Sequence, residues 1–200
     1  MLRKMRSKFP EIFTVAIALL AIVSAGAAQE KIAPEEFQAQ AMGTSTQMGQ
    51  SFNVTIHIDE YSSMENRQVL VDAFNKAGSQ GLFNTLQKMH AVGHIAITGT
   101  LGYDISFARK IPNPDGTYTL RVLTSRPITF GEAWTDSRSM DYNLSALTLT
   151  ISPDKGKSKG ELVPACQFVI DKKTNEIQLS AYQNPWTLVD IMNRSPKPKD

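Results

Sequence analysis

The chain has 200 residues, 42% of them hydrophobic and 20% charged, with a formal net charge of +2. That apolar fraction excludes a disordered polymer, and 12 Gly and 10 Pro are too few for a collagenous or linker-like chain. No segment repeats at a fixed period, which excludes solenoids and propellers and leaves one domain, or two small ones.

Arg3, Lys4, Arg6 and Lys8 precede an uncharged run of 17 residues from Ile12 to Ala28, which closes in Ser, Gly and Ala. A basic start, a short apolar middle and a small-residue exit predict a secretory signal over residues 1–28, cut after Ala28. The competing reading is a retained anchor, at the short end of the roughly 17–25 residues that span a bilayer. Residues 1–28 hold four bases and one acid, so their removal takes the charge from +2 to −1. A near-neutral chain lacks the basic footprint of a nucleic-acid binder, and that class of partner is excluded. No later run is long and apolar enough to span a membrane. Cys166 is the single cysteine, so no internal disulfide forms and the domain must stand on its core. This fits a secreted protein of the bacterial periplasm better than a disulfide-rich exterior.

Residues 29–50 read as a flexible leader, in which only 37–42 hint at a strand; a single domain is expected over 51–193. Phe52, Val54, Ile56 and Ile58 alternate with Asn53, Thr55, His57 and Asp59, the period of a half-buried strand. Ser62 to Glu65 spells a capping box, and Val69, Leu70, Ala73, Phe74 and Ala77 form one apolar stripe that Gly78 closes. Leu82, Phe83, Leu86 and Met89 predict a second short helix from about 80 to 89. From His94 the period changes to two. Strands are predicted around 94–101, 103–111, 118–124, 144–151, 162–170 and 177–182, separated by turn residues such as those of 112–116 and 171–175. Residues 186–191 read equally as a last short helix or a closing strand, and 194–200 as a disordered tail. The class is α+β: a mainly antiparallel sheet, open or barrel-like, with a two-helix segment after the first core strand.

Candidate chemistry is sparse. His90 and His94 are four apart, but Gly93 breaks the helix they would need to share, so no metal site is expected. Cys166 falls on an apolar face and reads as a small buried hydrophobe rather than a nucleophile. There is no Gly-x-Ser-x-Gly elbow, phosphate loop or dinucleotide fingerprint, and no catalytic residue or cofactor is assigned. Arg109 and Arg121 lie on adjacent predicted strands. Arg109 continues the face of Tyr103, Ile105 and Phe107, and an inward Arg109 would need a carboxylate or an anionic ligand; the simpler reading lets it snorkel to solvent. Lys155, Lys157 and Lys159 read as a solvated turn. The most informative loop is 130–142, where Trp134 and Tyr142 stand among Glu132, Asp136, Arg138 and Asp141. Long loops on rigid scaffolds concentrate function, so Glu132, Trp134, Arg138, Asp141 and Tyr142 are the candidate ligand-binding residues.

Thr98-Gly-Thr-Leu-Gly-Tyr103, Arg126-Pro-Ile-Thr-Phe-Gly-Glu132, Asp141-Tyr-Asn-Leu-Ser-Ala146 and Tyr182-Gln-Asn-Pro-Trp186 together resemble a group of uncharacterised exported bacterial proteins. The resemblance implies a bacterial, exported origin and carries no activity, cofactor or site. The expected function is that of an exported, non-catalytic binding or structural module, with a small apolar or amphipathic ligand or an envelope protein as partner. The alternatives are a hydrolase using Glu132, Asp136 and Asp141 and an envelope partner-binding subunit.

Overall fold

Alternating side chains dictate the architecture. In β1 (Glu35–Met42), Phe37, Ala39 and Ala41 point inward, and in β2 (Ser51–Ile58), Val54, Ile56 and Ile58 do the same. The computed structural model describes residues 34–98, 100–128, 142–171 and 177–195. After β2 come helix α1 (Met64–Leu86) and strands β3 (Gly93–Ile97), β4 (Tyr103–Pro112), β5 (Tyr118–Thr124) and β6 (Leu144–Ile151). β7 (Lys159–Ile170), β8 (Ile177–Ala181) and β9 (Trp186–Asn193) complete the order. All pairings are antiparallel, in the order β6-β5-β4-β3-β2-β1-β9-β7 with β7 returning to β6, so eight strands close a barrel. β8 hangs outside it on the C-terminal half of β7. Closure removes the unpaired edges that an open sheet exposes.

Side chains fill the barrel. Phe37, Ile56, Ile58, Ile95, Ile105, Leu120, Leu147, Leu149, Leu162 and Trp186 are all under 2% exposed and form one contiguous core. Eight strands make an interior that side chains just fill. A second layer lies on the outer wall. There Leu70, Phe74, Leu82 and Leu86 of α1 cover Phe107, Leu144, Ala146, Val163 and Cys166. Each such large side chain contributes about 1.5–3 kcal/mol on burial.

Several expectations need correction. Residues 35–42 are a barrel strand and 45–47 a single 3-10 turn, so ordered chain begins inside the stretch read as a leader. Phe37, Ala39 and Ala41 alternate with Glu36, Gln38 and Gln40, and the small size of alanine hides an inward face in what looks like a polar segment. The two predicted helices are one element, α1, bent at Ala77 (φ −143°, ψ 22°) and Gly78 (φ 59°, ψ −150°). Glycine reaches that backbone conformation without a Cβ penalty, and the chain resumes helical geometry at once, with no linker. The helix cap is Ser63, which accepts from the Asn66 amide, one residue later than the capping box suggests. Ser62 instead accepts from the Ala108 amide at 3.0 Å, tying the helix start to β4. Residues 186–193 form the strand that closes the barrel, with Trp186 inside it. The predicted signal (1–28) and residues 196–200 of the predicted tail lie outside the described residues.

Three register shifts bend the wall: in β4 between Ile105 and Phe107, in β7 opposite Leu144 and Ala146, and in β9 opposite Gln38 and Gln40. Each re-aims everything that follows it on the strand. In β7 the shift falls at Pro164 and Ala165, which separates Leu162, inside the barrel, from Cys166 under the helix. In β9 Asp190 adopts φ 50°, a left-handed conformation that aspartate tolerates better than most residues.

Candidate functional site at the loop end

The antiparallel strands send alternate connections to opposite ends of the barrel. Among the described residues, what we term the loop end carries 43–50, 98 and 100–102, 125–128, 142–143 and 182–185, with β8 overhanging on β7, and the other end carries 113–117, 152–158 and the connection through α1. Of the sequence-predicted site, Glu132, Trp134, Arg138 and Asp141 lie outside the described residues, as does Asp136. Tyr142 is described. It reaches β6 from the loop, and its ring packs tilted against Tyr182 with centroids 5.3 Å apart. Its hydroxyl lies 3.3 Å from the Ser180 hydroxyl on β8.

Tyr182 belongs to a site that alternation did not reveal. An open cleft of about 370 Å³ is lined by Thr46, Gln47, Ala181, Tyr182, Gln183, Asn184 and Pro185. Its walls are pinned: the Thr44 hydroxyl donates to the Pro185 carbonyl at 2.6 Å, and the Tyr182 amide donates to Ala165 at 2.9 Å. Gly43 permits this packing, since a Cβ there would stand 2.1 Å from the Gln47 carbonyl oxygen. The floor of this end is Trp186, tilted against Phe52 at 5.3 Å. The Gln47 side-chain oxygen is buried and accepts no hydrogen bond from the described residues, so the wall offers an acceptor. The lining holds no carboxylate, amine, imidazole or thiol. Met48, Leu101 and Tyr182 are exposed on the surrounding loops, and Leu179 on β8. The only local hint in the sequence was Asn184-Pro185, a turn signal directly after a strand.

The opposite end is shut by a polar plug. Lys110 and Ala108 point into the barrel, whereas Phe107 and Arg109 point out, because the shift at Ser106 reverses the phase of β4. The expectation that Arg109 continues the face of Tyr103 and Ile105 is therefore overturned. The inward cation is Lys110, and it has the carboxylate an inward charge requires: Nζ lies 2.6 Å from Glu35 Oε1. Nζ also sits 4.2 Å from the Tyr118 ring centroid, a cation–π contact. Burial, followed by the neighbouring Glu35 carboxylate, pushes the Tyr61 pKa far above the ordinary phenol value. Burial and then Glu35 push Tyr118 up to about 12, against a bond to Asn193 that acts the other way. Both phenols stay protonated near neutral pH and serve as donors rather than bases.

The histidines are surface groups. His57 and His94 face each other across β2 and β3, with His57 Nε2 3.1 Å from Asp59 and His94 Nδ1 3.5 Å from Asp104. His90 pairs with Glu60 at 2.6 Å. Among the described residues no three His, Cys, Asp or Glu side chains could hold a metal ion. Burial pushes the Cys166 thiol up to about 12, which keeps it in its unreactive form. Among the described residues no helix is long and apolar enough to cross a membrane. No protein-family model, curated protein or solved structure matches the chain.

Proposed function

We propose that the protein is an exported, non-catalytic binding module that presents the loop end of a packed barrel to an amphipathic partner. The observation that carries this reading is the cleft itself. Neutral amides and hydroxyls (Gln47, Gln183, Asn184, Thr46) stand beside the Tyr142–Tyr182 ring pair on loops pinned to a rigid frame. Such a lining holds apolar faces and satisfies hydrogen bonds, and it has no carboxylate, imidazole or thiol beside its hydroxyls. A small apolar ligand inside the barrel would need space that Phe37, Leu120 and Trp186 already occupy, which favours binding at the rim. Glu132, Trp134, Arg138 and Asp141 precede Tyr142 in the sequence between β5 and β6 and lie outside the described residues.

A protein of the bacterial envelope is the second reading for the partner, favoured by the exposed Met48, Leu101, Ile170 and Leu179 at this end. Native mass spectrometry of the protein purified gently from its own compartment tests both. A polypeptide starting at Gln29, with an added mass that Tyr182→Ala loses, supports the proposal, and the size of that mass separates ligand from protein partner. A bare mass in every preparation, or an added mass that Tyr182→Ala retains, overturns it.

A further inference from the structure

β8 keeps a free edge. It pairs with β7 alone and hangs outside the closed barrel. The Tyr182 amide donates to the Ala165 carbonyl at 2.9 Å, and hydrogen-bonded pairs recur at every second residue of an antiparallel ladder. Ser180 and Gln178, opposite Gln167 and Val169, are therefore bonded to β7, and Ile177, Leu179 and Ala181 turn their amides and carbonyls outward. β7 has the matching phase: Phe168, opposite Leu179, sends its amide away from β8 to the Ser79 hydroxyl at 3.2 Å. Among the described residues, the outward backbone groups of Ile177, Leu179 and Ala181 have no hydrogen-bond partner.

Such an edge is a template for another strand, and natural sheets blunt it with charge, proline or a bulge. β8 has none of these. Ile177-Gln-Leu-Ser-Ala181 carries no charged side chain and no proline, and its register with β7 runs without a shift. Its shortness limits the strength of pairing without preventing it. Leu179 and Ile170, 39% and 48% exposed, stand on the face that Ile177 and Phe168 turn toward the layer under α1. Apolar side chains are thus left in water beside an unpaired backbone.

We infer that β8 is the surface through which two copies of the chain pair, edge to edge and antiparallel, about a two-fold axis at Leu179. A two-fold contact must be self-complementary, and the outward residues of β8 are. Leu179 meets its own counterpart, and Ile177 meets Ala181 of the partner subunit on either side. All three rungs then fall on groups already turned outward, and each exchanges both its bonds. Gln178 stands across from Ser180 of the partner subunit, so no like charges are opposed along the strand. Long-range repulsion between copies is small as well, since the net charge is +2, or −1 without residues 1–28. This match in phase and charge selects a second copy over an unrelated strand, which has no two-fold centre to satisfy. A contact of this length buries less than the roughly 1,200 Å² of a standard interface, so the dimer is weak and reversible. The inference does not depend on the loop-end reading.

Sedimentation equilibrium of the chain purified from its own compartment, over concentrations from about 5 to 500 μM, tests it. A reversible monomer–dimer equilibrium with a Kd of about 0.1 mM or tighter is expected. Proline is tolerated where the lost amide faces away from the ladder, so Leu179→Pro should keep the parent circular dichroism yet weaken the dimer about tenfold or more. Leu179→Lys and Leu179→Glu each set like charges at the axis and should be monomeric, whereas an equimolar mixture of the two variants should dimerise again. A parent chain that stays monomeric throughout the range, a dimer that Leu179→Lys leaves unchanged, or a mixture that stays monomeric overturns the inference. A complex with a different protein that Leu179→Pro abolishes, while the pure chain remains monomeric, would give the edge to another partner and equally overturns it.

Discussion

At the scale of single residues, one bulge decides which cation the barrel takes in. Had β4 kept a strict period of two, Arg109 would face inward beside Ile105; the shift at Ser106 sends it out and brings Lys110 in against Glu35. The pair is worth little relative to an apolar pair of the same size, but it is costly to break, because a lone carboxylate is left against Tyr61 and Tyr118. Lys110→Met should therefore lower stability by about 3 kcal/mol, the lower end of the range for a buried pair, since Lys110 remains 32% exposed. Adding Glu35→Leu should restore most of that. Urea unfolding of the two variants checks it, and a single variant that unfolds at the parent midpoint would show that the pair holds nothing. The bulge was not legible in the sequence: Ser106 is an ordinary polar residue in an alternating run, and nothing local marks it as the residue that breaks phase. The same physics put Arg109 and Arg121 within sight as cross-strand neighbours but hid which side of the wall they share.

At the scale of elements, the apolar stripes of α1 were readable, and so was the importance of Gly78; what it does was not. A glycine after a stripe ordinarily ends a helix. Here Gly78 takes φ 59° and ψ −150°, and helical geometry resumes beyond it, so that Leu82 and Leu86 meet the same outer layer as Leu70 and Phe74. Ser79 then accepts from the Phe168 amide on β7 at 3.2 Å, fixing the second limb. The outcome depended on β7 and β8, about 90 residues away in sequence, which no local pattern could include. The effect of Gly78→Ala separates a bend from a regular helix by its sign. In a regular exposed helix alanine stabilises by about 1 kcal/mol. At this backbone conformation, which is essentially confined to glycine, it should destabilise by about 1–3 kcal/mol, although a Cβ there meets nothing within 4 Å. Chemical denaturation measures the difference, and a more stable variant would mean that α1 runs straight in solution.

At the scale of the molecule, the wall of the barrel is a shared boundary between two apolar layers. β4, β6 and β7 send Ile105, Leu147 and Leu162 inward and Phe107, Ala146 and Val163 outward, so neither layer persists if those strands part. The strands themselves were visible as alternation, but closure was not: it needs β9 between β1 and β7, a pairing across most of the chain. The candidate rim was visible only as the polar stretch between β5 and β6, since its floor (Trp186) and its cleft (Gln47, Tyr182) come together only once the ring is closed. A shared wall predicts one cooperative transition. Leu120→Ala inside the barrel should cost about 2–5 kcal/mol and Phe74→Ala under the helix about 3–5 kcal/mol. Both should displace the same transition. With Trp134 replaced by Phe, Trp186 alone reports on the interior by fluorescence while far-ultraviolet circular dichroism follows helix and strands together. In Phe74→Ala the two signals should still change at one denaturant concentration. A helix signal lost before the Trp186 signal would show that α1 is an appendage on an independently stable barrel.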